Sequence, residues 1–410
     1  MTDIVHAPAG ALSGVATGAV TAFLGVPYGS AERFAAPRRV PAWEGVRDAG
    51  RTGPAVPQPP SRLERVMGPG SDLVQDEDGL SLNVWTPGGT GLPVLVWLHG
   101  GGFSSGSGTE AWYDGALLAE RGQMVVVTVN YRLGALGYLY LSPDFGPANL
   151  GLLDQIAALG WVGENIAAFG GDPGRVTVAG QSAGALSILA LLGHPAGRGL
   201  FQQVILQSTP AGVRPYRTEE AAGIGRGLLE VLGLGPEEAE RLRSVPVPTL
   251  LAAQGELARR MAAPFSVTPP FQLVADGGVP ADLLADVPGG VPLLIGTTRD
   301  EARAFFPAAP ADLTGRLFRE GSLRLAGQAR SAFAFQFDWS PPGGSFGACH
   351  CVELPFVFGD LGAWRASPML AGAGAADLWR LVEEVQSAWA GFVHTGSPGW
   401  PAFPHVRHFT

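Results

Sequence analysis

Short apolar runs rich in β-branched residues recur along the chain, and longer stretches with helical spacing separate them. The runs are LPVLVWL at 92–98, MVVVTVN at 124–130, RVTVAG at 175–180 and QQVILQS at 202–208. Between them lie segments such as LLDQIAALGWV at 152–162, in which apolar residues recur three and four positions apart. Continuous apolar strands that alternate with helices indicate an α/β fold, with a mainly parallel sheet covered on both faces.

The pattern changes in the second half of the chain. Residues 217–262 have helical character throughout, and they predict a helical, cap-like excursion at about 211–270. Strand character returns in VPLLIGT at 291–297, and an amphipathic helix at 376–393 follows near the end. We find no internal repeat and no convincing linker, so we predict one domain over residues 1–410.

Composition narrows the possible classes of partner and chemistry. Of the 410 residues, 46% are hydrophobic and only 15% are charged, which is ample for a large buried core. The net charge is −9 and no basic patch stands out, so we expect neither nucleic acid nor an anionic membrane as a partner. All 27 basic residues are arginine, which excludes Schiff-base lysines and Ser-Lys dyads.

The two cysteines, Cys349 and Cys351, are separated by one residue. Such near neighbours rarely meet disulfide geometry, so we expect no disulfide framework and a reducing compartment. The first ten residues, MTDIVHAPAG, lack the basic and then apolar profile of a signal peptide. The longest apolar runs are too short to span a bilayer, and we therefore predict a cytoplasmic protein.

The pattern G-x-S-x-G occurs three times, around Ser104, Ser182 and Ser345. This pattern is typical of a nucleophile elbow, a sharp turn from a strand to a helix that exposes the serine hydroxyl. Only Ser182 follows a β-branched strand (VTVA) and precedes a helix-forming run (ALSILALL). The context therefore favours Ser182 as a nucleophile, with glycines at 180 and 184 to avoid clashes in the turn.

A serine nucleophile needs a base, and α/β-hydrolases place the acid and then the histidine after the serine. His350, between a glycine-rich loop and an apolar run, is the best base among the histidines after Ser182, which are His194, His350, His394, His405 and His408. The cysteines beside it could indicate a metal site, but residues so close in sequence do not readily chelate one ion together. We therefore expect neither a metal nor a cofactor.

Two acidic residues, Asp300 and Glu301, follow the strand at 291–297, at the edge where open α/β sheets bind ligands. Their position alone does not decide which of them pairs with the base. An oxyanion would be bound by the backbone N–H of Ala183 and by a glycine loop after an early strand. The stretch WLHGGGFSSGSG at 97–108 supplies such a loop directly after LPVLVWL.

The chain resembles the type-B carboxylesterases, the cholinesterase-like branch of the α/β-hydrolases, and especially the bacterial para-nitrobenzyl esterases. The resemblance extends from about Phe23 to Phe403. It rests on several long motifs in the same order, namely FLGVPYG, RFAAPRRVPAWEGVRDAGRTGP, EDGLSLNVWTP, VWLHGGGFSSGSG, VNYRLGALGYL, NLGLLDQIAALGWVGENIAAFGGDPGRVTVAGQSAGA, LLIGTTRDEARAF and GACHCVELPFVF. The implied fold is an α/β-hydrolase with the helical excursion over the active site.

The resemblance also implies residue roles. The nucleophile, the triad acid and the base match Ser182, Glu301 and His350, and the family motif T-x-x-D-E selects Glu301 over Asp300. The oxyanion-hole donors match Gly101, Gly102 and Ala183. Ser208, in ILQST, matches a family serine near the acid and is expected to have a supporting role.

The sequence departs from the family pattern in three places. Gln181 stands where the family usually has glutamate, which removes a negative charge beside the nucleophile, and we expect it to play a supporting role. Gly79 replaces a common cysteine, so the disulfide of the secreted members is absent. The stretch between Glu301 and His350, like the C-terminal end, is shorter than in most relatives, so we expect some helices around the pocket to be missing.

The expected function is hydrolysis of carboxylic esters through an acyl-enzyme. Cholinesterases take a key aromatic from the loop that matches residues 60–80, yet this segment contains no Trp, Tyr or Phe. Arg62 and Arg65 in it would repel a cation, so we expect neutral alkyl or aryl esters to be preferred over choline esters. A residue of the excursion, Phe265 or Phe271, is the alternative source of such an aromatic.

Two other functions stay open at this point. One is a catalytically inactive, cholinesterase-like binding protein. The other is an amidase, thioesterase or acyltransferase that uses the same triad. The expected partner in all the enzymatic cases is a small molecule, and the sequence does not specify the oligomeric state.

Overall fold

The computed structural model describes residues 3–285 and 290–410. The strands of this part are β1 (Ile4–Ala7), β2 (Gly10–Ser13), β3 (Val15–Thr17), β4 (Val20–Pro27), β5 (Gly29–Ser30), β6 (Arg38–Arg39), β7 (Val46–Asp48), β8 (Ser81–Thr86), β9 (Leu92–Leu98), β10 (Val125–Val129), β11 (Gly171–Gln181), β12 (Gln203–Gln207), β13 (Leu293–Thr298), β14 (Ala332–Phe337) and β15 (Val406–Phe409). The four predicted apolar runs of the first half correspond to β9, β10, β11 and β12, and the run at 291–297 corresponds to β13.

The α-helices of the described residues are α1 (Glu64–Met67), α2 (Ala116–Gly122), α3 (Gly134–Tyr138), α4 (Leu150–Asn165), α5 (Ala183–Gly193), α6 (Thr218–Val231), α7 (Val247–Arg260), α8 (Glu320–Gln328), α9 (Leu354–Phe358) and α10 (Ala375–Thr395). Turns of 3-10 helix lie at Ala111–Tyr113, Ile166–Phe169, Pro195–Gly197, Pro236–Ser244, Glu301–Ala304 and Pro368–Leu370, and a π-helical turn at Gly315–Arg319 precedes α8. The predicted helices at 152–162 and 376–393 are confirmed as parts of α4 and α10.

A ten-stranded sheet organises the described part of the chain, in the order β15-β14-β13-β12-β11-β9-β10-β8-β4-β3. From β15 to β10 every neighbouring pair is parallel, whereas β8, β4 and β3 are joined in antiparallel fashion at one end. Two small sheets, β1-β2-β7 and β5-β6, lie outside it. The predicted mainly parallel sheet is confirmed.

Helices cover both faces of the sheet, and each strand contributes to both cores because its successive side chains point to opposite faces. In β9, Val94, Val96 and Leu98 enter one hydrophobic core, which also contains residues of α4 and α5. The intervening Leu95 and Trp97 enter a second core with residues of α2, α9 and α10. Burial on both sides explains why the strands are continuously apolar instead of alternating.

The predicted excursion contains α6, the 3-10 helix Pro236–Ser244 and α7. Its inner side chains, including Leu228, Leu242 and Leu250, are buried in the same core as α4 and α5. The breaks between its helices fall at Gly233 and Pro246, residues that do not favour a continuous helix. The single domain over 1–410 stays a prediction, and residues 1–2 and 286–289 of that span lie outside the described residues.

The parallel strands bring their carboxyl ends to one edge of the sheet. At this edge β9 leads into the glycine loop, β11 leads into Ser182, and β13 leads into Glu301. The segment after β14 carries His350 back to the same edge, where the backbone N–H of Asp300 donates to the carbonyl of Ala348 at 2.8 Å. Residues far apart in sequence therefore meet at one place.

Candidate active site

Ser182 occupies a tight turn between β11, which ends at Gln181, and α5, which begins at Ala183. Its backbone has φ 54° and ψ −120°, a conformation that non-glycine residues rarely adopt. Two backbone hydrogen bonds hold it, because Ser182 N–H donates to the carbonyl of Gln207 and Leu186 N–H donates to the carbonyl of Ser182, both at 2.9 Å. The residue therefore has the strand-to-helix context that the sequence predicts.

The glycines on either side of Ser182 are required by close backbone contacts. A Cβ atom on Gly184 would lie 2.0 Å from the carbonyl oxygen of Leu98 in β9. A Cβ atom on Gly180 would lie 2.7 Å from the carbonyl carbon of Gly184. The turn thus packs against the neighbouring strand at a distance that leaves no room for a side chain.

His350 and Glu301 form a fully buried pair. Nδ1 of His350 lies 2.5 Å from Oε2 of Glu301, and Oε1 of Glu301 accepts a hydrogen bond of 2.7 Å from the backbone N–H of Thr298. The rings of Phe305 and Phe318 lie 5.0 and 5.2 Å from the imidazole, centroid to centroid. A carboxylate that accepts from Nδ1–H leaves Nε2 as the basic nitrogen.

Asp300, the other acidic candidate, contacts different groups. Its Oδ2 accepts from the guanidinium of Arg299 at 3.0 Å and from the backbone N–H of Ala348, also at 3.0 Å. Asp300 therefore ties the segment before His350 to the end of β13. The structure places Glu301 on the imidazole and Asp300 outside that contact.

The other histidines after Ser182 lie elsewhere in the molecule. His194 and His394 hydrogen-bond through Nε2 to the carbonyls of Gly277 and Gly122, at 2.6 and 2.8 Å. His408 pairs with Asp338 at 2.6 Å at the sheet end near β15, and His405 is exposed. Of the five candidates, His350 is the one that lines the cavity described below together with Ser182.

The two other serines of the G-x-S-x-G pattern lack the geometry of Ser182. Ser104 belongs to the glycine loop, and its hydroxyl donates to the carbonyl of Gly102 at 3.1 Å. Ser345 is exposed in the loop after β14. Neither serine lies in a turn from a strand directly into a helix, as the sequence predicts.

The glycine loop crosses in front of Ser182. Gly101 and Gly102 have φ values of 116° and 60°, and a Cβ atom on Gly101 would lie 1.9 Å from the carbonyl oxygen of Ser105. Within residues 3–285 and 290–410, the N–H groups of Gly101, Gly102 and Ala183 have no intramolecular acceptor. Three free donors therefore lie beside the serine, as an oxyanion hole requires.

Gln181 makes a contact that the sequence did not predict. Its Nε2 lies 3.1 Å from Nε2 of His350 and 3.3 Å from Sγ of Cys351. Because Nε2 of the imidazole is the acceptor, the amide donates to the same lone pair that would receive the serine proton. Ser208, with φ 50°, joins β12 to β13 through its N–H, which donates to the carbonyl of Gly296 at 2.8 Å.

A cavity of about 430 Å³ opens above these groups. Besides Ser182, His350 and the glycine loop, five aromatic residues line it, namely Phe103, Trp112, Tyr113, Phe305 and Phe318. Neither Phe265 nor Phe271 lines it: Phe271 is buried in the core, and Phe265 packs edge-to-face on Phe306 at 5.5 Å. The excursion contributes at its margins, through Val213 and Val267.

A second carboxyl group lies buried behind the candidate triad. Burial, and the charge of Glu301 nearby, raise the pKa of Glu353 to about 8. Its Oε1 accepts from Gln207 Nε2 at 3.2 Å, and Gln207 in turn accepts from the indole of Trp389 at 2.9 Å. Burial also lowers the pKa of His99, at the start of the glycine loop, to about 4.

Both cysteines are free thiols, and burial raises the pKa of each. Across residues 3–285 and 290–410, no group of three or more His, Cys, Asp or Glu side chains could hold a metal ion. In the same residues, no helix combines the length and the apolar character that crossing a membrane requires.

A sequence profile of the carboxylesterase family matches residues 1–322. The chain belongs to the carboxylesterase family. It is 41% identical to a probable N-octanoylanthranilate hydrolase of Rhodococcus erythropolis, over 99% of this chain and 96% of the relative. It is also 38% identical to the para-nitrobenzyl esterase of Bacillus subtilis, over 98% of this chain and 92% of that protein.

Solved structures agree with this family. A thermophilic PNB esterase superposes with a TM-score of 0.90 at 36% identity, covering all of this chain and 94% of the other. The esterase described here therefore has the α/β-hydrolase fold and is a serine carboxylic-ester hydrolase that acts on small-molecule esters. The alternative of an inactive binding protein is set aside.

Sequence reasoning missed several residues of the site. The backbone of Thr298, which holds Glu301, and the buried Glu353 carry no distinctive signal, because their roles depend on which atoms fold next to them. Phe305 and Phe318 flank the imidazole, yet only the position of Phe305 in LLIGTTRDEARAF, close to the acid, could have indicated it. The sequence shows the charge of Arg62, but not its place beside the glycine loop.

Proposed function

We propose that Ser182, His350 and Glu301 are the triad of this esterase. The observation that carries the proposal is the buried contact of 2.5 Å between His350 Nδ1 and Glu301 Oε2, next to a serine in a nucleophile elbow. The carboxylate fixes the proton on Nδ1 and stabilises the imidazolium that forms during reaction. Ser182 and His350 line the same cavity, which gives an ester access to both.

In this mechanism Nε2 of His350 takes the proton of Ser182 as the hydroxyl oxygen attacks the ester carbonyl carbon. The imidazolium then gives that proton to the alcohol oxygen as the C–O bond breaks, which leaves an acyl-serine. Water repeats the sequence with the acyl-enzyme, releasing the acid and restoring Ser182. The residues of the chain perform every proton transfer.

The free N–H groups of Gly101, Gly102 and Ala183 are proposed to bind the carbonyl oxygen as it becomes an oxyanion. Backbone donors that are already in place need no reorganisation, and one such donor is typically worth about 10²–10³ in rate. Ser208 supports the site by joining the strand ends behind it. Gln181 supports it by orienting the imidazole, because its side-chain amide donates to Nε2 of His350. The hydroxyl of Ser182 replaces this amide at Nε2 when a substrate binds and the reaction begins.

Neutral alkyl and aryl esters are the proposed substrates, in preference to choline esters. Aromatic and aliphatic side chains line the cavity, among them Phe103, Trp112 and Leu186, which suits acyl chains and aryl groups. Gln181 supplies no negative charge for a quaternary ammonium group, and Arg62 lines the same cavity. The cytoplasmic location and the single domain stay predictions.

Amide hydrolysis is a second candidate activity. The relative from Rhodococcus erythropolis is named for N-octanoylanthranilate, in which an acyl group is joined to nitrogen. The same triad can cleave such a bond, because His350 would protonate the departing nitrogen as it protonates an alcohol oxygen. Measuring the rates at which the protein hydrolyses octanoyl anilide and phenyl octanoate would show whether it cleaves amides as well as esters.

The proposal is tested with three serine variants and para-nitrophenyl butanoate. Ser182→Ala is expected to lose activity by several orders of magnitude, since only the oxyanion hole and binding remain to help. Ser104→Ala and Ser345→Ala carry the same substitution in the other two G-x-S-x-G sequences and should retain most activity. Robust turnover by folded Ser182→Ala protein would refute the triad.

A further inference from the structure

Arg62 brings a cation to the glycine loop. A Cβ atom placed on Gly102 would lie 2.7 Å from Nη2 of Arg62 and 3.8 Å from its guanidinium carbon. Arg62 as a whole residue is exposed, but partial burial of its guanidinium lowers its pKa below the ordinary value without removing its charge near neutral pH. The side chain lines the same cavity as Ser182 and His350. The guanidinium therefore lies next to one of the proposed oxyanion donors, on the cavity side of the loop.

The segment that carries Arg62 is held in place by its neighbours. The Gln58 side chain forms two hydrogen bonds with the backbone of Gly106, one to its carbonyl at 2.9 Å and one from its N–H at 2.5 Å. Leu63, Val66 and Met67 are buried on the other side of Arg62. The backbone before Arg62 is therefore tied to the glycine loop, and the backbone after it is anchored in the hydrophobic core.

The charge of Arg62 is not neutralised by the described part of the protein. Its Nη2 donates a hydrogen bond to the carbonyl of Val267 at 3.3 Å. No carboxylate of residues 3–285 and 290–410 lies within 4.0 Å of its nitrogens, whereas fourteen other arginines have one. A guanidinium has five N–H donors, so most of them are available to a ligand.

Three acidic residues also line the cavity, namely Glu64, Asp72 and Glu110. Glu110 accepts a hydrogen bond from the N–H of Ser71 at 2.8 Å, and burial raises its pKa. None of the three carboxylates lies within 4.0 Å of the Arg62 nitrogens, so the guanidinium beside Gly102 can still offer an opposite charge to an anionic group of the substrate.

We propose that Arg62 forms a subsite for a carboxylate of the substrate, close to the scissile carbonyl. Esters that carry one carboxylate near the ester bond, in the acyl part or in the alcohol part, should then be hydrolysed faster than neutral esters of the same shape, and neutral esters in turn faster than choline esters. The inference rests on the proposed function, because it places the carbonyl oxygen at Gly101, Gly102 and Ala183. A planar guanidinium binds a carboxylate through two parallel hydrogen bonds, which discriminates well against a neutral group of the same shape.

The test compares each carboxylate with its carboxamide isostere. On the alcohol side the pair is ortho-carboxyphenyl butanoate and ortho-carbamoylphenyl butanoate, and on the acyl side it is monoethyl succinate and ethyl succinamate. In the natural protein, kcat/KM should favour the carboxylate of at least one pair. Arg62→Gln should reduce that ratio by about tenfold, the scale of one charge-assisted hydrogen bond, and Arg62→Lys should retain part of it.

Arg65→Gln is the matched control. It removes the same charge three residues away, where the guanidinium donates to the carbonyl of Ala304 at 2.7 Å and does not line the cavity. For Arg65→Gln, the ratio of kcat/KM for the carboxylate to kcat/KM for the carboxamide should equal that of the natural protein. A general effect of net charge would instead lower this ratio in both variants alike. Thermal unfolding of each variant verifies that it is folded.

Two results would overturn the subsite. One is a natural protein that favours the carboxylate in neither pair. The other is a carboxylate-to-carboxamide ratio that Arg62→Gln leaves unchanged in both pairs; if both rates then fall equally, Arg62 stabilises the oxyanion directly instead. Assays of Ser182→Ala on the carboxamides separate this proposal from the proposed triad. If Ser182→Ala is inactive and Arg62→Gln leaves the carboxylate-to-carboxamide ratio unchanged, only the subsite is refuted. If Ser182→Ala remains active, the triad is refuted.

Discussion

The two sides of the cavity are built in different ways. On the side of the sheet, Ser182, Glu301 and His350 are buried at the ends of packed strands, and several backbone hydrogen bonds determine their positions. On the opposite side, residues 58–73 form a wall with few regular elements, in which Arg62 is exposed. The buried side supplies groups that act on any ester, whereas the exposed wall is where one ester is distinguished from another.

The comparison predicts that a change on the sheet side costs much more activity than a similar change nearby. Glu301→Gln keeps the shape of the side chain but removes the charge that supports the imidazolium. We expect kcat to fall by about 10³–10⁴-fold, as for loss of the acid in comparable triads. Steady-state hydrolysis of para-nitrophenyl butanoate measures it.

Asp300→Asn is the neighbouring control for Glu301→Gln. Asp300 is partly exposed and pairs with Arg299, an interaction worth about 0–1 kcal/mol in water. The Asp300→Asn variant should keep most of the activity of the natural protein. Similar losses in the two variants would contradict the proposed role of Glu301 and the contrast between the two sides.

Buried carboxyl groups on the sheet side also predict how stability depends on pH. In the folded chain Glu353 keeps its proton up to a pKa of about 8, whereas in the unfolded chain it loses it near the ordinary value of 4.5. Between these values the folded state binds more protons than the unfolded state, so this residue makes the protein less stable as the pH rises. Below 4.5 both states are protonated and the effect vanishes.

Glu353→Gln removes that titration while keeping an oxygen that accepts from Gln207. Relative to the natural protein, the variant should gain stability between about pH 4.5 and 8, by up to about 1.4 kcal/mol for each pH unit. Urea unfolding at several pH values measures the difference. The exposed Glu383→Gln should give a difference that does not change with pH, and the same flat result for Glu353→Gln would contradict burial of its proton.

The smallest expected effect concerns the wall. A neutral butanoate ester should have a kcat/KM about tenfold higher than butyrylcholine of similar leaving-group reactivity, because Arg62 repels the ammonium group and Gln181 offers it no charge. Two features act in the opposite direction: the aromatic faces of the cavity, by about 0.5–2 kcal/mol for each well-placed ring, and the acidic residues Glu64, Asp72 and Glu110 that line it. Arg62→Gln should narrow the gap, and a faster choline ester would show that these two features dominate.

Much of the fold follows from local pattern. The strands β9 to β13 were predictable because they are short, continuous apolar runs rich in β-branched residues, and the helices α4 and α10 because their apolar residues recur with the period of a helix. The strand β14, AFAFQF, was not predicted, although its aromatic residues are typical of strands. The excursion was predicted as helical, and its breaks coincide with glycine and proline.

The candidate site was predictable to a different degree at each residue. Ser182 was separated from Ser104 and Ser345 by local context alone, because an elbow needs a strand before it and a helix after it. Asp300 and Glu301 could not be separated in this way, since adjacent residues share the same context. The family resemblance favoured Glu301, and the folded chain places its carboxylate, not that of Asp300, on His350.

The sequence by itself determined the order of the elements, the apolar strands, the nucleophile-elbow pattern and the family, because each of these is written in residues close together along the chain. Only the tertiary structure decided that Gln181 contacts the imidazole, that Glu353 lies behind Glu301, and that Arg62 lies beside Gly102. These contacts join residues separated by tens to hundreds of positions. The packing of the whole sheet sets them, and no local pattern encodes such distances.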